Sequence, residues 1–145
     1  MRLLRRANLC CAGSRKPISR HLLATMSDRG SSEVDRALAE SHYYAALDHV
    51  AEGRDEQAVE EYRKSLAADS SFTDALHGLS RALQNLNRLD EAIEVSKRIS
   101  ELDPDDVLAH TSLSILYQKK GMVPEAEAEG NKARILGWKQ QLKGK

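Results

Sequence analysis

A repeat of 34 residues is the feature that most constrains how this chain can fold. The residues that best interrupt helices, Gly53, Asn87 and Gly121, follow one another at this interval. Five further columns keep the same register without an insertion, and most of them hold small or apolar residues. These columns are Ala58/Ala92/Ala126, Ala46/Ser80/Ser114, Ala45/Leu79/Leu113, His49/Leu83/Tyr117 and Ala68/Leu102/Leu136. Such a period is typical of chains that stack one supersecondary unit on the next.

Each copy of the repeat predicts two helices. In the middle copy, apolar side chains recur every three or four residues before and after the break at Asn87, which is the spacing of one helix face. A glycine or asparagine at the break suits the left-handed residue that ends a helix. The expected helices are 33–52, 55–69, 73–86, 89–102, 107–120 and 123–136.

Turn and cap residues separate the copies. Asp103-Pro104-Asp105 has the composition of a turn followed by a helix N-cap. Ser71 with Asp74 three residues later resembles a capping box for the second copy. Within a copy, we expect the small columns to face each other across the helix pair, so that the two backbones approach closely. One hairpin cannot bury both its faces, so about three must stack.

The middle and third copies resemble the tetratricopeptide repeat. The residues that carry the resemblance are Leu79-Ser80, Leu83, Asn87, Ala92, Ile99 and Pro104 in one copy and Leu113-Ser114, Tyr117, Gly121, Ala126 and Ala133 in the next. The family's early aromatic position differs, because it holds His42, Leu76 and His110. Over 39–140 the resemblance implies an all-α solenoid, a right-handed superhelix of three helix-turn-helix repeats at about 39–72, 73–106 and 107–140.

The resemblance also implies a concave groove, lined by the first helix of each repeat, that binds a peptide or an amphipathic helix of a protein partner. The candidate groove residues are Tyr43, Leu47, His77, Arg81, Asn85, Leu108, Ile115 and Lys119. Further positions on the same faces are Glu40, Val50, Asp74, Gln84, Thr111 and Gln118. The alternative is that the apolar members pack against a seventh helix or the leader.

One known ligand mode of the family is disfavoured by the residues themselves. Repeats that hold the C-terminal carboxylate of heat-shock chaperones use Lys, Asn and Arg side chains. The matching positions here are Tyr43, Leu47, Gly78, Leu108 and Ser112, and none of them is a cation or an amide. Arg81 and Lys119 are the basic pair that remains.

Charge divides the chain near residue 25. Residues 1–25 contain six basic residues and no acidic one, so the remainder holds 16 basic residues against all 22 acidic ones. We interpret 1–32 as a disordered basic leader, 33–140 as the repeats and 141–145 as a polar tail. The leader is either an upstream start before Met26 or a targeting segment. The corresponding compartments are the cytoplasm and, for a transit peptide, the mitochondrial matrix.

Other function classes find little support. Two adjacent cysteines, Cys10 and Cys11, cannot build a disulfide framework. We expect no catalysis, no metal or other cofactor, no membrane span and no nucleic-acid partner, because the body is acidic and no catalytic or metal-binding motif is present. The alternative to a binding module is a self-associating one that dimerises through the third repeat near Trp138. We otherwise expect Trp138 to cover the last hairpin.

Overall fold

The computed structural model describes residues 32–144, and in this range it contains six helices and no strand. The chain divides between Ala37 and Leu38 into two units, of which the second contains the repeats. Helix α1 spans residues 32–51. The others are α2 Asp55–Ala68, α3 Thr73–Asn85, α4 Leu89–Leu102, α5 Val107–Lys119 and α6 Val123–Lys143. The fold is an all-α helical-repeat solenoid, as the repeat predicts.

The helix boundaries follow the predicted ones to within one residue, except at the end of the chain. The prediction that the last helix ends at 136 is wrong, since α6 continues to Lys143 and includes Gly137. A helical glycine costs only about 1 kcal/mol relative to alanine. The residues after it, Lys139 to Lys143, are mostly strong helix formers. The expected leader lies outside the described residues, apart from residue 32.

The three break residues adopt the conformation that their type predicts. Gly53, Asn87 and Gly121 have φ values of 73°, 60° and 79°. Each follows the last turn of the first helix in its repeat and reverses the chain into the second helix. A left-handed residue at this point closes a helix with hydrogen bonds to its last carbonyls, and Gly121 N accordingly donates to Gln118 O at 3.1 Å.

The small columns bring paired helices into close contact. Ser114 Oγ donates to Ala126 O at 2.7 Å, and Ser80 Oγ reaches Ala92 O at 3.4 Å, so these side chains touch the backbone of the partner helix. Gly78 provides another close approach, between repeats, because the buried Tyr62 ring packs over it. The predicted meeting of the small columns is therefore confirmed in the second and third repeats.

Capping differs between the second and third repeats. Asp106 caps α5, since its Oδ1 accepts from Leu108 N at 2.8 Å and Ala109 N at 3.2 Å. The capping box predicted for Ser71 is wrong. Its Oγ and N both bond to Asp69 Oδ1, and the N-cap of α3 is Phe72 without a side-chain bond. Ser71 therefore bonds to Asp69 and does not form the predicted capping box with Asp74. The carboxylate of Asp69 is favoured because it lies only two residues away along the chain.

The first and third repeats share a polar triad that the second lacks. His42 Nδ1 lies 2.7 Å from Glu61 Oε2, and Lys64 donates to the same carboxylate. In the third repeat the equivalents are His110, Glu129 and Lys132, with the His–Glu contact at 2.6 Å. The second repeat has Leu76 and Val95 at the His and Glu positions, and both belong to an apolar cluster.

The expectation that Trp138 covers the last hairpin is wrong. Its side chain is 70% exposed, and Ile135 and Leu142 on the same helix are 54% and 73% exposed. Trp138 and Leu142 follow the point at which the other repeats turn into the next hairpin, and no helix of the described chain covers them. None of the helices within 32–144 is long and apolar enough to cross a membrane.

Candidate functional site

One open cavity, which we call the groove, is formed by the first helices of the three repeats, α1, α3 and α5. Its volume is about 680 Å³. All eight residues singled out from the sequence line it: Tyr43, Leu47, His77, Arg81, Asn85, Leu108, Ile115 and Lys119. The helical repeat thus brings together side chains that lie up to 76 positions apart, from 43 to 119.

The two outer helices give the groove apolar walls. On α1 the wall consists of Tyr43, Leu47 and Val50, and the last two are 39% and 38% exposed. On α5, Leu108 is 65% exposed and Ile115 is 42% exposed. Large apolar side chains that share a concave surface and remain in water mark an interaction site more often than scattered ones do.

The middle helix, α3, gives the groove a polar floor. Asp74, His77, Arg81 and Gln84 follow one another along it at helical spacing and all line the cavity. Asn85 is the last residue of α3, next to Gln84, and its Nδ2 donates to Asp55 Oδ1 at 3.4 Å. The floor therefore offers hydrogen-bonding groups between two apolar walls.

His77 is already engaged within the protein. Its Nε2 lies 2.7 Å from Asp106 Oδ2, while the other oxygen of Asp106 caps α5. This carboxylate consequently ties the floor helix to the start of the α5 wall. The imidazole thus helps to hold the groove together, and it is less accessible to a ligand than its place in the cavity suggests.

An aromatic cluster supports the α1 end of the groove. The ring of Tyr43 lies 5.2 Å from that of Phe72 and 6.1 Å from that of Tyr62, measured between centroids. Burial, with a smaller contribution from the negative charge of Asp74, raises the pKa of the Tyr43 hydroxyl. Tyr43 therefore lines the groove as a neutral side chain, and its ring packs against those of Phe72 and Tyr62.

Sequence reasoning and the structure differ in detail over the lining. Val50, Asp74, Gln84 and Thr111 line the groove as expected, whereas Glu40 and Gln118 are not among its lining residues. Gln118 instead lines a second cavity of about 440 Å³ on the third repeat. Sequence reasoning missed the bond between His77 and Asp106, because nothing in the spacing indicates that these two side chains meet.

Titratable side chains outside the groove form structural pairs. Hydrogen bonds from Lys64 and His42 lower the pKa of Glu61. Burial acts to raise the pKa of Glu129, but the bonds from Lys132 and His110 outweigh it and lower the pKa. Within residues 32–144, no group of three His, Cys, Asp or Glu side chains is arranged to hold a metal ion.

Comparison with known proteins agrees with this architecture. The stacked hairpins and their groove place the chain among helical-repeat solenoids. Residues 49–116 match the family described as tetratricopeptide repeat, and the six helices of residues 32–144 are consistent with three such repeats. A sequence comparison with curated proteins finds no match.

Several solved structures share the fold. The chain superposes on MamA with a TM-score of 0.69 at 22% identity, over 71% of this chain and 60% of MamA. The second repeat domain of Spaghetti (RPAP3), solved with the HSP90 peptide SRMEEVD, gives 0.70 at 20% identity, over 74% of this chain and 98% of that domain. The type III secretion translocator chaperone SycD of Yersinia enterocolitica gives 0.66 at 21% identity, covering 69% and 76%. The chain thus spans about 60% of the length of the first of these relatives.

Proposed function

We propose that this protein is a non-catalytic interaction module that holds a peptide or an amphipathic helix of a partner protein in the groove. The observation that carries the proposal is the pair of apolar walls, in which Leu47, Leu108 and Ile115 are 39%, 65% and 42% exposed. Fully burying such a side chain contributes about 1.5–3 kcal/mol, so covering the part that is still exposed contributes about 0.6–2 kcal/mol for each. A segment that covers several of them would gain enough to offset the cost of becoming ordered.

Relatives with the same fold support a binding role without identifying the ligand. One is described as bound to an HSP90 peptide and another as a translocator chaperone. The five positions that would grip a chaperone carboxylate here include Leu47, Gly78 and Leu108, which carry no charge. We therefore propose an internal segment of a partner as the ligand, and not a free C-terminus.

A selection experiment tests this proposal. A random twelve-residue peptide library displayed on phage is selected on the full chain, and enriched peptides are retested on Leu47→Asp/Ile115→Asp. We expect binding to be lost, because two buried carboxylates would disrupt the apolar contacts. The matched control is Leu102→Asp/Ile135→Asp, which changes two residues of similar exposure, 48% and 54%, outside the groove.

The control should bind like the unchanged chain. Enriched peptides that bind both double variants equally well would show that the groove is not the site. Circular dichroism of each variant checks that helicity is retained, which is expected because all four residues are exposed.

A second candidate function is self-association through the end of α6. The observation in its favour is the exposed apolar stripe of Ile135, Trp138 and Leu142. Three of the residues beside this stripe, Arg134, Lys139 and Lys143, are basic. Two copies of the stripe would bring like charges together, so we rank this function second.

A further inference from the structure

We infer that the groove binds an extended segment whose apolar side chains point to both walls and which carries an acidic residue opposite Arg81. This inference rests on the proposed function and deepens it by naming the chemistry and conformation of the ligand. It depends on two properties of the groove: how its polar and apolar residues are distributed, and which of its charges lack a partner.

The distribution of polar residues favours an extended ligand over a helical one. A helix satisfies its own backbone groups and presents a single apolar stripe, which would lie against the polar floor of α3. An extended segment alternates its side chains between two sides. It could thus cover Leu47 and Val50 on one wall and Ile115 on the other. Its backbone N–H and C=O groups would then face the floor, where Gln84 can bond them and Arg81 remains available to a ligand side chain.

The charges of the groove favour an acidic ligand. Asp74 lies in the first turn of α3 and Lys119 in the last turn of α5, where the partial charges of the helix ends offset their own. Arg81 lies in neither end turn of α3. Across residues 32–144, no hydrogen bond or ion pair engages its guanidinium group. By contrast, Arg63 and Arg88, which do not line the groove, both donate hydrogen bonds to Glu91.

A carboxylate would complement Arg81 because a guanidinium group donates two parallel hydrogen bonds to it. Lys119 lines the same cavity and adds a second positive charge. The neighbouring imidazole of His77 does not compete for the ligand carboxylate, since its Nε2 is held by Asp106. A basic residue at the same place in the ligand would be repelled by Arg81 and Lys119 together.

The test uses peptides enriched from the phage library, synthesised with a fluorescent label and measured by anisotropy on the full chain. We expect a glutamate or aspartate between alternating apolar residues. Changing it to lysine should weaken binding about tenfold, as should Arg81→Glu in the protein. Combining the two changes should restore part of the loss. Lys97→Glu, an equal charge change on exposed α4 surface outside the groove, should have little effect.

Carbon chemical shifts of an isotope-labelled peptide report its bound conformation, and extended values are expected. Peptides that bind in the groove as helices, or whose affinity ignores both the glutamate and Arg81, would overturn this inference while leaving the proposed function intact. Peptides unaffected by Leu47→Asp/Ile115→Asp would overturn the proposed function itself, and this inference with it.

Discussion

At position 78 the packing leaves no room for a side chain. A Cβ built on Gly78 would lie 2.5 Å from Cε1 of Tyr62, which is only 1% exposed and whose ring packs against Tyr43. We expect Gly78→Ala to lower the free energy of unfolding by about 1–3 kcal/mol, the usual cost of overpacking. Urea denaturation followed by circular dichroism measures this loss.

Gly137→Ala is the matched control, because this glycine is also helical and a Cβ there meets nothing within 4 Å. It should stabilise the chain by about 0.5–1 kcal/mol through helix propensity. If both alanine variants were equally stable, the close contact between Tyr62 and α3 would be refuted.

Acid should weaken the fold through Glu61 and Glu129. Both carboxyl groups have lowered pKa values in the folded chain. Their stabilising contribution is therefore fully present above the ordinary glutamate pKa of about 4.3 and is lost as the pH falls through the lower folded values. We expect the stability of Glu61→Gln/Glu129→Gln to fall less steeply below about pH 5 than that of the unchanged chain.

Urea midpoints at several pH values give these slopes. Glu94→Gln/Glu127→Gln serves as the control, because both glutamates are exposed and, among residues 32–144, neither has a hydrogen-bond partner. Parallel curves for all three proteins would contradict the role assigned to the two His–Glu–Lys triads.

At the scale of elements, each turn between paired helices depends on one left-handed residue. Gly121 has a φ of 79°, and a Cβ there would meet nothing, so any cost of substitution comes from the backbone alone. We expect Gly121→Ala to destabilise the chain by about 1–2 kcal/mol and Gly121→Asn to do so by less. The natural Asn87, with a φ of 60°, is the precedent.

Thermal denaturation of the two variants provides the measurement. As the reverse experiment, Asn87→Gly should leave the stability unchanged or raise it slightly. Equal losses for alanine and asparagine at position 121 would mean that the left-handed backbone is not what limits this turn.

The elements were largely predictable because their boundaries are chemically marked. A left-handed residue ends the first helix of each repeat, and Asp106 begins the third repeat with a side-chain cap. The end of α6 was not predictable from the repeat, since nothing requires a turn once the last hairpin is complete. The sequence also did not indicate that Ser71 would bond to Asp69 and not pair with Asp74, because this choice depends on the loop geometry.

At the scale of the whole molecule, the residues that line the groove were predictable, but which of its polar and charged side chains are paired within the protein was not. The groove geometry that the family resemblance implies, applied to the repeat register, identifies eight side chains that share the cavity. The partners of those side chains depend on contacts between repeats, such as His77 with Asp106. The exposure of Trp138 was likewise missed, because a repeat pattern says nothing of what covers its last member.

The single tryptophan reports on self-association. Since Trp138 is 70% exposed, we expect fluorescence typical of indole in water, strong quenching by acrylamide, and no change with protein concentration. Light scattering should give the mass of a monomer. A blue shift that grows with concentration, together with the mass of a dimer, would favour the second candidate function over the first.

The first and third repeats contain His–Glu–Lys triads, whereas the second has an apolar pair in their place, and this difference affects the order in which the repeats unfold. Because neighbouring hairpins stabilise one another in sequence, protonating the glutamates of the first and last hairpins should loosen both ends while the central hairpin, with Leu76 and Val95, keeps its apolar contacts. A ligand held between α1 and α5 would then dissociate as the pH falls below the ordinary glutamate pKa of about 4.3, while the central hairpin is still folded.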